Sequence, residues 1–263
     1  MVWTERQHAL LKGMGLRLWA PAAAAAEIVP DRAPARPAKA AATPTEAEDS
    51  GSADVPAANA SPDTRSRQIA ALDWPALREA VAGCRACGLC EERRQTVFGV
   101  GHPQARWMVV GEAPGEQEDI QGEPFVGPSG ALLDAMLRAL QLTRAADGPE
   151  PAAQRVYIAN TLKCRPPRNR NPAPDEMAHC EPFLVRQIAL LQPRIILAMG
   201  KFAVQALLRS SEPVGKLRGR VHRYQGVPLV VTYHPAYLLR NPADKARAWD
   251  DLCLAAATAE QVD

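Results

Sequence analysis

Four short apolar segments, separated by helical patterns, constrain the fold of this chain more than any other feature. They are rich in Val, Ile and Leu and span residues 107–110, 156–159, 194–199 and 228–232. Apolar runs of this length predict strands that are buried on both faces. Amphipathic patterns predict helices at residues 74–82, 130–140, 175–191, 201–209 and about 243–257. Alternating strands and helices are typical of α/β proteins. The sequence therefore predicts a three-layer α/β/α fold with a four-stranded parallel central sheet.

Glycines and polar residues follow the predicted strands. Glu112 lies in the loop Gly111–Gly115 after the first strand, Asn160 ends the second, Gly200 follows the third and His234 follows the fourth. Open parallel sheets bind ligands beyond the carboxyl ends of their strands. We therefore expect polar side chains from three strands to meet in one cleft.

Composition divides the chain into three parts. Residues 22–66 are dominated by Ala, Pro, Ser, Thr, Asp and Glu, and hold almost no aromatic or branched apolar residues. Such a segment cannot bury enough apolar surface to offset the entropy lost on ordering, so it is predicted to be a disordered linker. Residues 1–21 before it are predicted to be a short helix or docking peptide, and residues 67–263 to be one domain.

The compartment of the protein bears on how its cysteines are interpreted. No run approaches the roughly 18 apolar residues of a membrane span, and the N-terminus lacks a signal-peptide layout. We therefore expect a cytoplasmic protein with no membrane partner, in which thiols stay reduced. Six cysteines in that setting favour a metal site over disulfides.

The cysteine spacing narrows the kind of metal site. Cys84 and Cys87 form one CxxC pair, and Cys164 and Cys180 come much later. Zinc sites usually pair two short spacings. One close pair plus two separate ligands fits a cubane iron–sulfur cluster at least as well. The remaining alternative is that the two later cysteines are ordinary buried residues.

Two basic runs and one aromatic residue indicate that the ligand is a nucleic acid. Residues 163–172 carry four cations and no acid, and residues 216–223 form a second basic run. Each run alone could be a solvated face, but two runs beside one cleft favour a polyanionic ligand. Phe125 lies in a glycine-rich loop, which favours a role in base stacking over a place in the core.

In combination, these motifs resemble the iron–sulfur uracil-DNA glycosylases called family 4. The resemblance covers about residues 70–257 in one unbroken order. It rests on Cys84-x-x-Cys87, VFGVG at 97–101, GEAPGEQED at 111–119, PFVGPSG at 124–130, NTLKCRPPRN at 160–169, Cys180, and HPAYLLR at 234–240.

The resemblance implies a cofactor and a substrate. Cys84, Cys87, Cys164 and Cys180 would hold a 4Fe–4S cluster, whereas Cys90 matches no ligand. The substrate would be uracil in single- or double-stranded DNA, and the protein is expected to be a monomer. Hydrolysis of the N-glycosidic bond would start base excision repair.

The same resemblance assigns residues that would bind the base. Phe125 would stack on the flipped uracil, Asn160 would read its hydrogen-bonding edge, and Glu118 would crowd the C5 position and exclude thymine. Ala113 and Asn169 occupy further substrate-binding positions, Ala113 standing where some family members have glycine.

Catalysis is assigned to three residues. A neutral His234, with Asn160 beside it, would donate to the uracil carbonyl that gains charge as the bond breaks. Glu112, through its carboxylate or its backbone, would position the water. Phosphate contacts are predicted for a basic set of residues: Arg165, Arg168, Arg170, Lys216, Arg218, Arg220 and Arg240.

Two other functions remain open at this stage. The first is a non-catalytic or covalent uracil-DNA binding protein of the same superfamily. Covalent traps carry a nucleophilic histidine in an inserted loop, and residues 165–172 contain none. The second is an interaction module of a polymerase complex. Residues 1–20 could separately dock a sliding clamp or replication protein, since their leucine–aromatic pattern precedes a flexible tether.

Overall fold

The computed structural model describes residues 62–261. Its sheet has five strands in the order β2-β1-β3-β5-β4. The strands are β1 (Trp107–Gly111), β2 (Val156–Asn160), β3 (Ile195–Met199), β4 (Val221–Tyr224) and β5 (Val227–Thr232). The helices are α1 (Pro62–Ala70), α2 (Trp74–Ala82), α3 (Leu89–Glu92), α4 (Glu116–Gln121), α5 (Pro128–Ala139), α6 (Pro174–Leu191), α7 (Lys201–Leu208), α8 (Val214–Leu217), α9 (Pro235–Arg240) and α10 (Lys245–Glu260). Short 3₁₀ turns cover Ala152–Gln154, Pro167–Asn169 and Pro242–Asp244.

The predicted α/β fold and its four parallel strands are confirmed, but the strand count of the sheet needs a correction. A fifth strand, β4, pairs antiparallel with β5 at one edge. Its residues alternate between exposed and half-buried positions, so it lacks the apolar run that marks the other strands. The signal that could have revealed it is the two-residue turn Gln225-Gly226, whose φ values of +47° and +86° suit a tight hairpin.

Burial explains why the remaining segments form a layered core. Every residue of β1, β2 and β3 is buried, as expected for strands covered on both faces. Helices α2, α6 and α7 contribute to one apolar cluster with alternate residues of these strands. Helix α10 packs against β3 and β5 and buries Trp249 and Leu252. Asp73 caps the N-terminus of α2, because its carboxylate accepts a 2.9 Å hydrogen bond from the N–H of Ala76.

The register of the sheet brings the strand ends into line. Gly111 at the end of β1 pairs with Asn160 at the end of β2, and Met199 at the end of β3 pairs with Thr232 at the end of β5. The loops that follow these strands therefore leave the sheet at one edge.

The predictions for the N-terminal part of the chain fall mostly outside the described residues. The docking peptide at 1–21 and most of the linker at 22–66 lie there. Helix α1 begins at Pro62, so the last five residues assigned to the linker are helical. Within 62–261, no helix is long and apolar enough to cross a membrane.

Candidate active site

A cleft of about 810 Å³ lies at the carboxyl edge of the sheet. The register predicts this location, since the loops after four strands meet there. All the residues that the sequence assigned to catalysis or base binding line it: Glu112, Ala113, Glu118, Phe125, Asn160, Asn169 and His234. The geometry therefore brings the predicted set together.

The Asn160 side chain is buried at the floor of this cleft. It is 2 % exposed, and no residue between 62 and 261 offers its Oδ1 atom a hydrogen bond. A buried carbonyl oxygen without a donor is costly, so its occurrence here points to a ligand that donates to it. Gly111 makes room for this arrangement, because a Cβ there would lie 2.4 Å from Asn160 Oδ1 and 2.5 Å from the Phe125 ring.

Phe125 is held in a strained backbone conformation beside Asn160. Its φ of +56° lies in the left-handed region, which is uncommon for a residue with a Cβ. Arg144 supports this conformation by donating to the carbonyls of Pro124 (2.7 Å) and Phe125 (2.6 Å). Asp134 in turn accepts a 2.8 Å hydrogen bond from Arg144 Nε. The surrounding contacts thus fix the ring in the cleft.

The His234 ring stacks on Phe125, with the ring centroids 5.2 Å apart and an interplanar angle of 27°. Its Nδ1 accepts a 3.2 Å hydrogen bond from the N–H of Ala236. Burial, helped by the nearby charge of Arg240, lowers the pKa of His234 from 6.5 to about 4. The ring is therefore neutral near pH 7, and because Nδ1 is an acceptor, its proton is on Nε2.

The two acidic residues of the first loop have different environments. The Glu118 carboxylate accepts hydrogen bonds from the N–H groups of Gly115 (3.0 Å) and Val126 (3.1 Å), which fixes it between two loops of the cleft. Burial raises the pKa of Glu112, and the charge of Lys201 opposes that rise. The Glu118 carboxylate is thus fixed by main-chain donors, and the Glu112 carboxyl has an elevated proton affinity.

Cys84, Cys87, Cys164 and Cys180 line a second, smaller cavity, as the sequence predicted. Cys90 also borders this cavity. Among residues 62–261, no three His, Cys, Asp or Glu side chains are close enough to share one metal ion. Four cysteine thiols around one cavity are a donor set that iron–sulfur clusters use, and structural zinc sites use the same set.

Hydrogen-bond donors surround the cavity sulfurs. Arg93 Nη1 is 2.9 Å from Cys164 Sγ, Arg65 Nη2 is 3.6 Å from Cys84 Sγ, and the Lys163 N–H is 3.2 Å from Cys180 Sγ. Burial raises the pKa of Cys180 to about 12, against the opposing charge of Lys163. Thiolates bound to iron lose that proton, and the donors would then stabilise their charge.

The predicted DNA-contacting residues divide into three groups. Arg168, Lys216, Arg220 and Arg240 are exposed. Arg165 pairs with Glu116 and Asn169, and Arg170 pairs with Glu176, all near the cleft. The third group is Arg218 alone, which lies 2.9 Å from Asp251, whose side chain is fully buried. Because its guanidinium neutralises a buried carboxylate, Arg218 also stabilises the fold.

Several cleft residues were missed by sequence reasoning. Lys201 follows Gly200 at the start of α7, a position that the strand–glycine pattern could have identified. Tyr233 and Tyr237 also line the cleft, with their rings stacked 5.0 Å apart. Lys163 was grouped with the basic loop, yet its side chain is buried beneath the cleft. No sequence signal separated this lysine from its exposed neighbours.

Comparison with known proteins agrees with this geometry. Residues 98–253 match the model of the uracil DNA glycosylase superfamily. A type-4 uracil-DNA glycosylase of Pyrobaculum aerophilum is 39 % identical over 193 residues, which cover 70 % of this chain and 93 % of the relative. A second one, from Thermotoga maritima, is 40 % identical over 171 residues, which cover 64 % of this chain and 84 % of the relative.

These matches and the site define the class of the protein. The chain belongs to the uracil DNA glycosylase superfamily, and within it to the type-4 uracil-DNA glycosylases.

Proposed function

We propose that this protein hydrolyses the N-glycosidic bond of uracil in DNA and so starts base excision repair. The observation that carries the proposal is the buried Asn160 Oδ1, an acceptor without a donor, facing the same cleft as Phe125 and a neutral His234. A uracil ring offers a face for stacking, an N–H donor and a carbonyl acceptor. These three features match the three side chains.

Base recognition follows from the chemistry of the cleft. The uracil leaves the DNA stack and lies against Phe125, and its N3–H donates to Asn160 Oδ1. Glu118 excludes thymine because its carboxylate is fixed by two backbone N–H groups and cannot move aside for a methyl group. A rigid group in the space of the methyl gives stronger rejection than an apolar wall.

Bond cleavage leaves negative charge on the uracil carbonyl. A neutral His234 donates from Nε2 to that oxygen, and the donor is oriented in advance because Ala236 binds Nδ1. Glu112 positions the attacking water, with its backbone carbonyl fixed by hydrogen bonds from Thr161 and Leu162. No step of this reaction transfers an electron.

We propose a 4Fe–4S cluster held by Cys84, Cys87, Cys164 and Cys180. Its supports are the four sulfurs around one cavity and the donors that surround them. When bound, the cluster would join the N-terminal helices to the loop after β2, which also carries Asn160. Its role is to hold the fold of that region.

DNA binding is proposed for the exposed cations beside the cleft. Arg168, Lys216, Arg220 and Arg240 would contact phosphates, which positions the duplex or single strand without reading its sequence. A repair enzyme acts where DNA is, so we propose a cytoplasmic location, and a monomer, since one chain contains the whole site.

The test of the proposed function is excision from a labelled oligonucleotide with one uracil. Purified protein should produce an alkali-labile site at that uracil, and an identical strand with thymine should stay intact. Asn160→Ala should slow single-turnover excision by on the order of a hundredfold. A wild-type protein that binds the uracil strand without cutting it would support the non-catalytic alternative instead.

We also propose that residues 1–20 dock a sliding clamp or replication protein. The support is their apolar pattern, which includes Leu16, Leu18 and Trp19, ahead of a Pro-rich segment. Deletion of residues 1–60 should keep full activity on short oligonucleotides and abolish a pull-down of the clamp. A truncated protein that loses activity would contradict this assignment.

A further inference from the structure

Lys163 is a buried cation that the proposed mechanism does not use. Its side chain is 1 % exposed, although Arg168 and Arg170 of the same basic run are exposed. Lysine is almost never fully buried unless partners compensate its charge, so its partners indicate its role.

The partners of Lys163 connect the cysteine cavity to the base-binding site. Its ammonium donates to the backbone carbonyl of Asn160 and to Gln187 Oε1, each at 2.7 Å. Its backbone N–H donates to Cys180 Sγ at 3.2 Å. One residue therefore contacts a proposed cluster ligand through its main chain and the proposed base-reading residue through its side chain.

The remainder of the network is also buried. Gln187 Nε2 donates to the carbonyl of Phe98 at 2.8 Å and approaches Tyr157 Oη at 3.3 Å. Gln187 is fully buried in α6. These bonds satisfy the buried Gln187 amide, and its oxygen is a second acceptor for the Lys163 ammonium, separate from the Asn160 carbonyl.

We propose that Lys163 is a positioning residue that fixes the Asn160 peptide and so aims the Asn160 amide at the flipped base. Asn160 ends β2, an edge strand of the sheet, and the ammonium gives its backbone carbonyl a charge-assisted hydrogen bond. The inference rests on the proposed role of Asn160 in base recognition. Cys164, a proposed cluster ligand, follows Lys163 directly in sequence. The bond from Lys163 to Asn160 therefore also restrains the loop that carries this cysteine.

A double-mutant cycle on single-turnover uracil excision tests the proposal. Lys163→Met keeps the length of the side chain and removes the donor, while Asn160→Ala removes the group that it positions. Lys163→Met should slow excision by on the order of ten- to a hundredfold in the wild-type background, as expected for a lost charge-assisted bond. In the Asn160→Ala background the same change should slow excision by less than about threefold.

Three control measurements distinguish a positioning role from a general loss of folded structure. They are the iron content, the melting temperature and the affinity for DNA that carries an uncleavable uracil analogue. Lys163→Met should keep its iron and bind the analogue-containing DNA within about threefold of wild type, since phosphate contacts dominate that affinity. Gln187→Met is the matched control, because it disturbs the network but leaves the bond from Lys163 to Asn160. It should lower the melting temperature and slow excision by less than about threefold.

Three results would overturn the proposal. Equal slowing by Lys163→Met in both backgrounds would show that Lys163 does not act through Asn160. Equal slowing by Gln187→Met and Lys163→Met would assign the effect to the fold. A wild-type rate of excision in Lys163→Met would show that Lys163 has no positioning role. If Lys163→Met fails to fold, Lys163→Gln replaces it in the same cycle, with the same criteria. An Asn160→Ala variant with the wild-type rate would instead contradict the proposed role of Asn160.

Discussion

The protonation state of His234 gives the sharpest prediction, a pH profile of excision. An ordinary histidine with a pKa near 6.5 is only about one-tenth neutral at pH 5.5. His234, with a pKa of about 4, remains almost entirely neutral at that pH. Because the neutral ring is the proposed donor, the single-turnover rate should fall by less than about twofold between pH 7.5 and pH 5.5. It should decline only as the pH approaches 4.

The sign of this prediction follows from the direction of the shift. A lowered pKa extends the range of the neutral form toward acid, so activity is retained where an ordinary histidine would lose about nine-tenths of it. The assay is single-turnover excision from a uracil oligonucleotide at constant ionic strength. His234→Ala should be slower by about a hundredfold or more and should lack the acid limb near pH 4.

A second titrating group needs a control. Burial raises the pKa of Glu112, so its protonation could also shape the acid side of the profile. Glu112→Gln cannot titrate and should keep the acid limb that belongs to His234. A midpoint near pH 6.5 in both the wild type and Glu112→Gln would refute the neutral-histidine mechanism.

Four further predictions concern specificity, the cluster, stability and DNA binding. Glu118→Ala should allow detectable excision of thymine, and Glu118→Gln should do so less; a Glu118→Ala variant that cuts uracil well and ignores thymine would place the gate elsewhere. Cys164→Ser should lose iron and visible colour, while Cys90→Ser should keep both, and zinc without iron after anaerobic purification would contradict the cluster. Arg218→Ala should lower the free energy of unfolding by about 3 kcal/mol by leaving Asp251 unpaired in the core. Arg220→Ala should leave stability unchanged and reduce the salt slope of DNA binding by about 1.

Much of the architecture could be predicted from hydrophobic pattern alone. Strands buried on both faces produce unbroken apolar runs, and these located β1, β2, β3 and β5. The edge strand β4 was missed because one of its sides faces solvent and its four residues, Val221–Tyr224, include His222 and Arg223 instead of an apolar run. Edge strands carry a weak apolar signal for that reason, and the Gln225-Gly226 turn was the available clue.

The residues of the site also differ in how well the sequence predicts their positions. Residues that follow strand ends, such as Asn160 and His234, are placed by topology, so their convergence could be expected from the order of elements. The contacts of charged side chains are harder to predict, because a sequence does not show which partner each side chain will bind. Lys163 and Arg218 both occur in basic runs, yet one binds a strand-end carbonyl and the other a buried carboxylate. Only the tertiary structure distinguishes them from the exposed Arg220.

The most direct test of the central claim is product analysis of one complete turnover. Purified protein is mixed in excess with a uracil oligonucleotide, and the masses of the free base, the strand and the protein are measured by mass spectrometry. Hydrolytic excision predicts one free uracil per strand, an intact strand with one abasic sugar, and an unmodified protein. A protein–DNA adduct, or a strand that keeps its uracil, would contradict the account.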